Sequence, residues 1–372
     1  MTRAQESPAP LSACDEPLAH RYDVALLDLD GVVYVGPDPV PDAPENLRKA
    51  AKEGLRIGYV TNNASRPASV VAEHLASFGL DVIADDVVTS AQAAAKLIAS
   101  EFPKGSPVLV VGGDGLYVAL EEYGLKPVRS SDADPVAVAQ GFHPDVNWVM
   151  LADGAHAING GARWYATNLD LTIPTAAGKA PGNGTLVQAV RAAVEVDPVV
   201  AGKPEPPLLE TSIERLKAKR PLMIGDRLDS DIEGAHNVGI ASLWVATGVN
   251  DAHDLAAAPK NQRPTYIAAG LGGLLEQHPG VKVVGNKHSC EDWTAEVVDG
   301  VVAVTGEGAP YDGLRAILSA VWAAVDGVDR PKTAAKTAAK SAGRGRRPLR
   351  KPAPAPGSIE IDSALRNVGL VK

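Results

Sequence analysis

The sequence predicts an α/β protein: a Rossmann-like parallel-sheet core, an α/β cap inserted into it, and a small α+β C-terminal extension. Three observations carry this. Short apolar runs ending in polar residues alternate with helix-spaced segments, first between Tyr22 and Phe78 and again between Pro198 and Ala246. Such alternation builds a parallel sheet with helices on its faces. Residues 88–197, between these halves, repeat the alternation on their own account and read as an insertion. Beyond Pro279, three strand-like runs precede one helix-like segment, the pattern of a separate small module.

Taken in order, Met1 to His20 contains Pro, Ala and acids without an apolar signal core, and reads as a disordered leader. The core then occupies 21–87 and 198–278. Val24-Ala25-Leu26-Leu27 reads as a buried strand with Asp28 and Asp30 at its C-terminal end. Pro44 to Glu53 has helical spacing and a stop at Gly54. Arg56 to Val60 is a second strand, ending at Thr61-Asn62-Asn63, and Ser69 to Phe78 a second helix. The cap, 88–197, is expected to hold strands at Val108–Val111, Trp148–Leu151 and Leu171–Ile173. The core resumes with a strand at Pro198–Ala201, a helix at Pro207–Lys217, and strands at Pro221–Ile224 and Ala241–Ala246. The module, 279–328, has strands at Val281–Val284, Thr294–Val298 and Val301–Thr305 and a helix at Tyr311–Val325. Residues 329–357 form an Ala/Pro-rich linker with eight basic residues from Lys332 to Lys351 and no acid between them. Such a segment has too little apolar surface to fold alone. It reads as solvated, or as a contact for an anionic partner or the acidic remainder. Residues 358–372 are a tail.

Composition narrows the function. The 372 residues are 45% hydrophobic with a net charge of -9, which argues against nucleic acid or an anionic membrane as partner. No apolar stretch approaches a membrane span. Only Cys14 and Cys290 are present, which excludes a disulfide framework or a cysteine-rich zinc site and suits a cytoplasmic protein.

Four polar clusters fall at expected strand ends, where parallel sheets bind ligands. In Asp28-Leu29-Asp30-Gly31, two carboxylates repel each other unless a cation lies between them or a proton is shared. That suits hard-metal binding and nucleophile-plus-acid/base chemistry, and Gly31 permits a sharp turn. Thr61-Asn62-Asn63-Ala64-Ser65 could cradle a phosphate on hydroxyl and backbone N–H groups, or cap the following helix. Lys203, between Gly202 and Pro204, could stabilise transferring phosphoryl oxygens, or be a surface lysine in a turn. Asp226, Asp229 and Asp231 follow an apolar strand; such clustering is costly without a cation such as Mg²⁺, although helix capping accounts for some of it.

In this order the four clusters resemble the haloacid-dehalogenase-type phosphatases, from Asp28 to about Gly248. The resemblance implies Asp28 as nucleophile and Asp30 as general acid and base. It implies Mg²⁺ on the Asp28 carboxylate, the Asp30 backbone carbonyl and Asp226. Thr61, Asn62 and Asn63 would hold the phosphoryl group, Lys203 would neutralise charge, and Asp231 would orient Lys203. The insertion resembles the large α/β caps of one subgroup through Ala166–Pro174 and Pro181–Thr185. There Thr172 would face the leaving group, unless that stretch is a cap-core strand with turn glycines. Thr172 with apolar neighbours suits a small neutral leaving group. The pattern is most similar to the actinobacterial glycerol-3-phosphate phosphatases. Phosphoglycolate, other sugar phosphates and nucleotides stay open as substrates. So do a phosphotransferase or phosphomutase and a non-enzymatic regulatory binding protein. A homodimer through the cap is common in the subgroup. The C-terminal extension lies outside this resemblance. It reads as an accessory or fragmentary acyltransferase-like module with a packing or regulatory role.

Overall fold

A computed structural model describes residues 8–175, 178–327 and 359–371. The core is a six-stranded sheet in the order Tyr266–Ala268, Ala241–Val245, Pro221–Gly225, Val24–Leu27, Arg56–Thr61, Val87–Thr89. Every pairing in it is parallel. Val24–Leu27 lies inside the sheet and is buried along its whole length, which is why it reads as an unbroken apolar run. On one face pack the helices Ala43–Lys52 and Ala68–Ser77, through Leu47, Val71 and Leu75. On the other, Pro206–Leu216 and Glu233–Val238 bury Leu208, Leu209 and Ala235.

The inserted segment forms a second parallel sheet of five strands, in the order Val199–Val200, Arg163–Ala166, Ala137–Gln140, Pro107–Val111, Lys126–Val128. Both strands at the expected domain borders change sides. Val87–Thr89 straddles the border at 87/88 and completes the core sheet beside Arg56–Thr61. Val199–Val200, expected to open the second half of the core, pairs with Arg163–Ala166 in the cap sheet. A run of two or three apolar residues carries no mark of which sheet it will join.

Trp148–Leu151, expected as a strand, is the first turn of the helix Trp148–Asn159. Asn147 caps it, its Oδ1 accepting from the N–H groups of Val149 at 3.0 Å and Met150 at 3.2 Å. Leu171–Ile173 does not join the cap sheet. Thr172–Thr175 pairs only with Gly178–Pro181, in a separate antiparallel hairpin.

The leader, expected to be disordered, is ordered from residue 8. Leu11 N–H donates to Pro264 O at 3.2 Å, Cys14 exchanges backbone hydrogen bonds with His278, and Leu18 is fully buried. Residues 1–7 lie outside the described residues. The C-terminal module is a four-stranded antiparallel sheet of Lys282–Val284, Lys287–Cys290, Trp293–Val298 and Val301–Thr305, crossed by the helix Pro310–Asp326. The strand Lys287–Cys290 escaped notice because its Lys-His-Ser-Cys sequence has little β character. The tail is part of this module: Glu360 bridges to Val301, and the helix Asp362–Asn367 buries Leu365. The basic linker, 329–357, lies outside the described residues. Among those described, no helix is long and apolar enough to cross a membrane.

Candidate active site

The expected clusters converge at the carboxyl ends of the core strands. Val24–Leu27 delivers Asp28, Arg56–Thr61 delivers Thr61, and Pro221–Gly225 delivers Asp226. At the centre is Lys203, whose side chain is only 1% exposed. Its Nζ lies 2.7 Å from Asp28 Oδ1 and 2.7 Å from Asp231 Oδ1. Burial alone would depress the ammonium pKa, but the Asp231 and Asp28 carboxylates outweigh it and hold Lys203 charged, above its ordinary value. A surface lysine in a turn is therefore excluded.

Three carboxylates crowd this one ammonium. Asp28, Asp226 and Asp231 each offer an oxygen within 4.8 Å of the others. Burial raises all three carboxyl groups. Asp226 is pushed up to about 8, by burial and then by the charges of Asp231 and Asp28. Asp231 is pushed to about 6 by burial, against Lys203. Asp28 is raised by burial, also against Lys203. Asp226 is wholly enclosed. Its Oδ2 accepts from Val249 N–H at 2.6 Å, while its Oδ1 is buried with no hydrogen-bond partner. The backbone closes tightly on this carboxylate: a Cβ on Gly31 or Gly248 would come within 2.9 or 2.0 Å of Oδ2. An uncapped buried carboxylate oxygen, with three acids around a single ammonium, fits a hard divalent cation bound through oxygen. Asp231 joins the two expected side-chain ligands, Asp28 and Asp226, in this group.

Asp30 sits at the exposed rim. The protein packed on its remaining sides raises its carboxyl, against the pull of Arg66 and Lys203. Thr61 is buried, and its Oγ1 accepts from Asn63 N–H at 3.0 Å. The Asn63 side-chain oxygen accepts from Ser65 N–H at 2.8 Å and Ser65 Oγ at 2.7 Å, closing a local turn. The Asn62 side chain is also engaged, its Oδ1 accepting from Lys203 N–H at 2.8 Å. Its Nδ2 donates to Lys203 O at 3.0 Å and to Asp170 Oδ2 at 3.2 Å. The Asn62 side chain thus braces the loops, and the Asn63 side-chain oxygen closes a turn.

Thr172 is exposed on the hairpin, and no recorded side-chain hydrogen bond ties it to these loops. Cap side chains that reach them include Asn168 and Asp170. Both lay within the stretch already matched to the subgroup's caps, but nothing in their spacing marked them. Thr247 and Asn250 were also missed. Thr247 Oγ1 donates to Gly31 O at 2.6 Å, and Asn250 Oδ1 accepts from Leu228 N–H at 2.8 Å, tying the Asp28 and Asp226 loops to the strand beyond.

Residues 25–126 match the family described as haloacid dehalogenase-like hydrolase, and residues 200–274 match a second description, HAD-hydrolase-like. Residues 290–343 match a GCN5-related N-acetyltransferase like domain, in keeping with the acyltransferase-like reading of the module. A D-glycerol 3-phosphate phosphatase of Mycobacterium tuberculosis is 42% identical over 316 residues, covering 82% of this chain and 88% of the relative. An acid sugar phosphatase of Staphylococcus saprophyticus is 34% identical over 69% of this chain and 98% of its own. Among solved structures, a glycerol phosphate phosphatase of Mycobacterium tuberculosis in complex with magnesium superposes with a TM-score of 0.78 at 41% identity, covering 85% of this chain and 94% of that one. A p-nitrophenyl phosphatase of Archaeoglobus fulgidus superposes with a TM-score of 0.64 at 28% identity, over 68% of this chain and 98% of that one.

Proposed function

Because the chain belongs to the haloacid dehalogenase-like hydrolases, we propose that it hydrolyses glycerol 3-phosphate to glycerol and phosphate through an aspartyl-phosphate on Asp28. The observation that carries this reading is the buried Asp28–Lys203–Asp231 ion triad beside the uncapped oxygen of Asp226.

Mg²⁺ would be held by Asp28, Asp226 and the Asp30 carbonyl, with Asp231 close behind, and supplies positive charge against the phosphate dianion. The chain's own residues do the rest. Lys203 reduces the repulsion between the Asp28 carboxylate and the phosphoryl oxygens as Asp28 attacks phosphorus. The bond to the glycerol oxygen breaks, and that oxygen takes a proton from Asp30. Water then enters, gives a proton to Asp30 and attacks phosphorus, so that the Asp28–phosphorus bond breaks and inorganic phosphate leaves. One residue acts first as acid and then as base, a role that Asp30 at the solvent-facing rim would fill.

The chain spans most of the glycerol 3-phosphate phosphatase it resembles, and this favours glycerol 3-phosphate over phosphoglycolate or a nucleotide. The test is phosphate release from these three and pyridoxal phosphate, with and without Mg²⁺, by wild type and Asp28→Asn. Strong magnesium-dependent release from glycerol 3-phosphate, absent in a folded Asp28→Asn protein, is expected. Release favouring another substrate, or turnover by rigorously purified Asp28→Asn, would overturn the reading. A homodimer through the cap goes with this proposal. Trp148 and Val149, 78% and 68% exposed on the cap, supply apolar surface for a second copy, and light scattering on Trp148→Ser tests it. A cytoplasmic location also belongs here, supported by two free, buried cysteines.

A further inference from the structure

Asn62 is the point at which the cap meets the loop bearing Lys203. Its amide clamps Lys203 from two sides, accepting from the backbone N–H at 2.8 Å and donating to the carbonyl at 3.0 Å. The second hydrogen of Nδ2 goes to Asp170 Oδ2 at 3.2 Å. Its backbone carbonyl accepts from Asn168 Nδ2 at 2.7 Å and Ser90 Oγ at 2.6 Å. Two of these partners come from the cap segment Asn168–Asp170.

That segment is itself firmly seated. Asn183 Nδ2 donates to Asn168 O at 2.8 Å, and Gly184 N–H donates to Asp170 O at 2.9 Å. A Cβ on Gly182 or Gly184 would come within 2.3 Å of Asp170 O or 2.1 Å of Leu169 O, so the two backbones meet only because these residues are glycines. Gly202, just before the lysine, is equally confined: a Cβ there would lie 2.6 Å from Asn62 Oδ1 and 2.4 Å from Thr167 O.

We propose that Asp170 is a positioning residue that, acting through Asn62, keeps Lys203 in register with Asp28 and so couples the cap to the phosphoryl-transfer step. The inference rests on the phosphatase reading and adds to it a route from cap to lysine. The physical basis is the orientation of one amide. Asn62 grips Lys203 correctly only while its oxygen faces the Lys203 N–H and its nitrogen faces the carbonyl. Reversing the amide loses both bonds. The Asp170 carboxylate accepts and cannot donate, so it favours the orientation with Nδ2 toward itself. Lys203 acts on the nucleophile and the phosphoryl oxygens, so loosening it slows the chemistry whatever the leaving group.

The test uses the full-length protein with Mg²⁺, measuring kcat and KM on glycerol 3-phosphate and on p-nitrophenyl phosphate. For Asp170→Ala, kcat should fall about 10- to 100-fold on both substrates alike, the scale of a misplaced catalytic group, while KM changes much less. Asp170→Asn keeps an oxygen for Asn62 Nδ2 and should recover most of the loss at an unchanged melting temperature. Asn62→Asp, which keeps the shape but turns a carboxylate oxygen toward Lys203 O, should repeat the substrate-independent loss if Asp170→Ala does not fold. Near-wild-type kcat in Asp170→Ala, or in Asn62→Asp where that variant stands in, would overturn the proposal. A loss confined to glycerol 3-phosphate would also overturn it, by making Asp170 a leaving-group contact. A wild type active on p-nitrophenyl phosphate but inert on glycerol 3-phosphate would sink the substrate reading, and the coupling would then be judged on p-nitrophenyl phosphate alone.

Discussion

Replacing Asp226 by Asn should stabilise the protein without magnesium and abolish its response to magnesium. Asp226 is fully buried, and its carboxyl is pushed from an ordinary 3.8 to about 8 by burial and by Asp231 and Asp28. The sign follows from proton uptake. Between those two values the folded metal-free protein holds a proton that the unfolded chain has lost, so stability falls as pH rises through that window. At pH 7 the cost is on the order of 4 kcal/mol, at 1.36 kcal/mol per unit. Asn keeps an oxygen for Val249 N–H and carries no charge to bury, so it escapes this cost. Magnesium offsets part of that difference, for the wild type alone. A cation present at about 100 times its dissociation constant stabilises the folded wild type by about 2.7 kcal/mol. That corresponds to a rise in melting temperature of roughly 5–10 °C for a domain of this size. Melting curves at pH 7 in EDTA and in excess Mg²⁺ make the comparison. An equal magnesium-induced rise in Asp226→Asn would show that the carboxylate is not a ligand. A metal-free wild type no less stable than the variant would refute the argument from buried charge.

Two further predictions test other parts of the molecule. Gly248→Ala places a methyl 2.0 Å from Asp226 Oδ2, so the carboxylate must move; magnesium affinity, read by titration against melting temperature, should weaken by tenfold or more, about 1.4 kcal/mol. His278 accepts from Arg315 through Nδ1 at 2.9 Å and donates through Nε2 to Gly273 O at 2.8 Å, and burial lowers its pKa to about 4. The unfolded chain takes up that proton first, so stability should fall by about 3 kcal/mol as pH drops from about 6.5 to about 4, and His278→Gln should flatten this part of the denaturation profile.

Much of this site was legible because its chemistry is concentrated in short runs at strand ends. Asp28, Lys203, Asp226 and Asp231 could be named from residue type and position, and the buried ion triad with Asp226 beside it brings them together. Asn62 shows the limit of that reasoning. An Asn after a strand is as able to brace a loop as to hold an anion, and only three-dimensional partners distinguish the two. The cap was harder to read for a related reason. Trp148–Leu151 is four apolar residues, too short to carry a period, and the deciding feature is the cap at Asn147. The ordering of the leader and of the tail depends on partners at Pro264, His278 and Val301, hundreds or tens of residues away, and local composition is blind to those.

The chain order of the core sheet has a consequence for biosynthesis. Val24–Leu27 leaves the ribosome early and finds one neighbour soon, in Arg56–Thr61. Its other neighbour, Pro221–Gly225, is made nearly two hundred residues later. At about 5–20 residues per second, that open strand edge waits for about 10–40 s. Only over about the last quarter of this interval is the sheet running from Pro107–Val111 to Arg163–Ala166 complete in sequence and able to fold on the nascent chain. The exposed apolar strand of the half-built core is then the segment on which a nascent-chain chaperone would act.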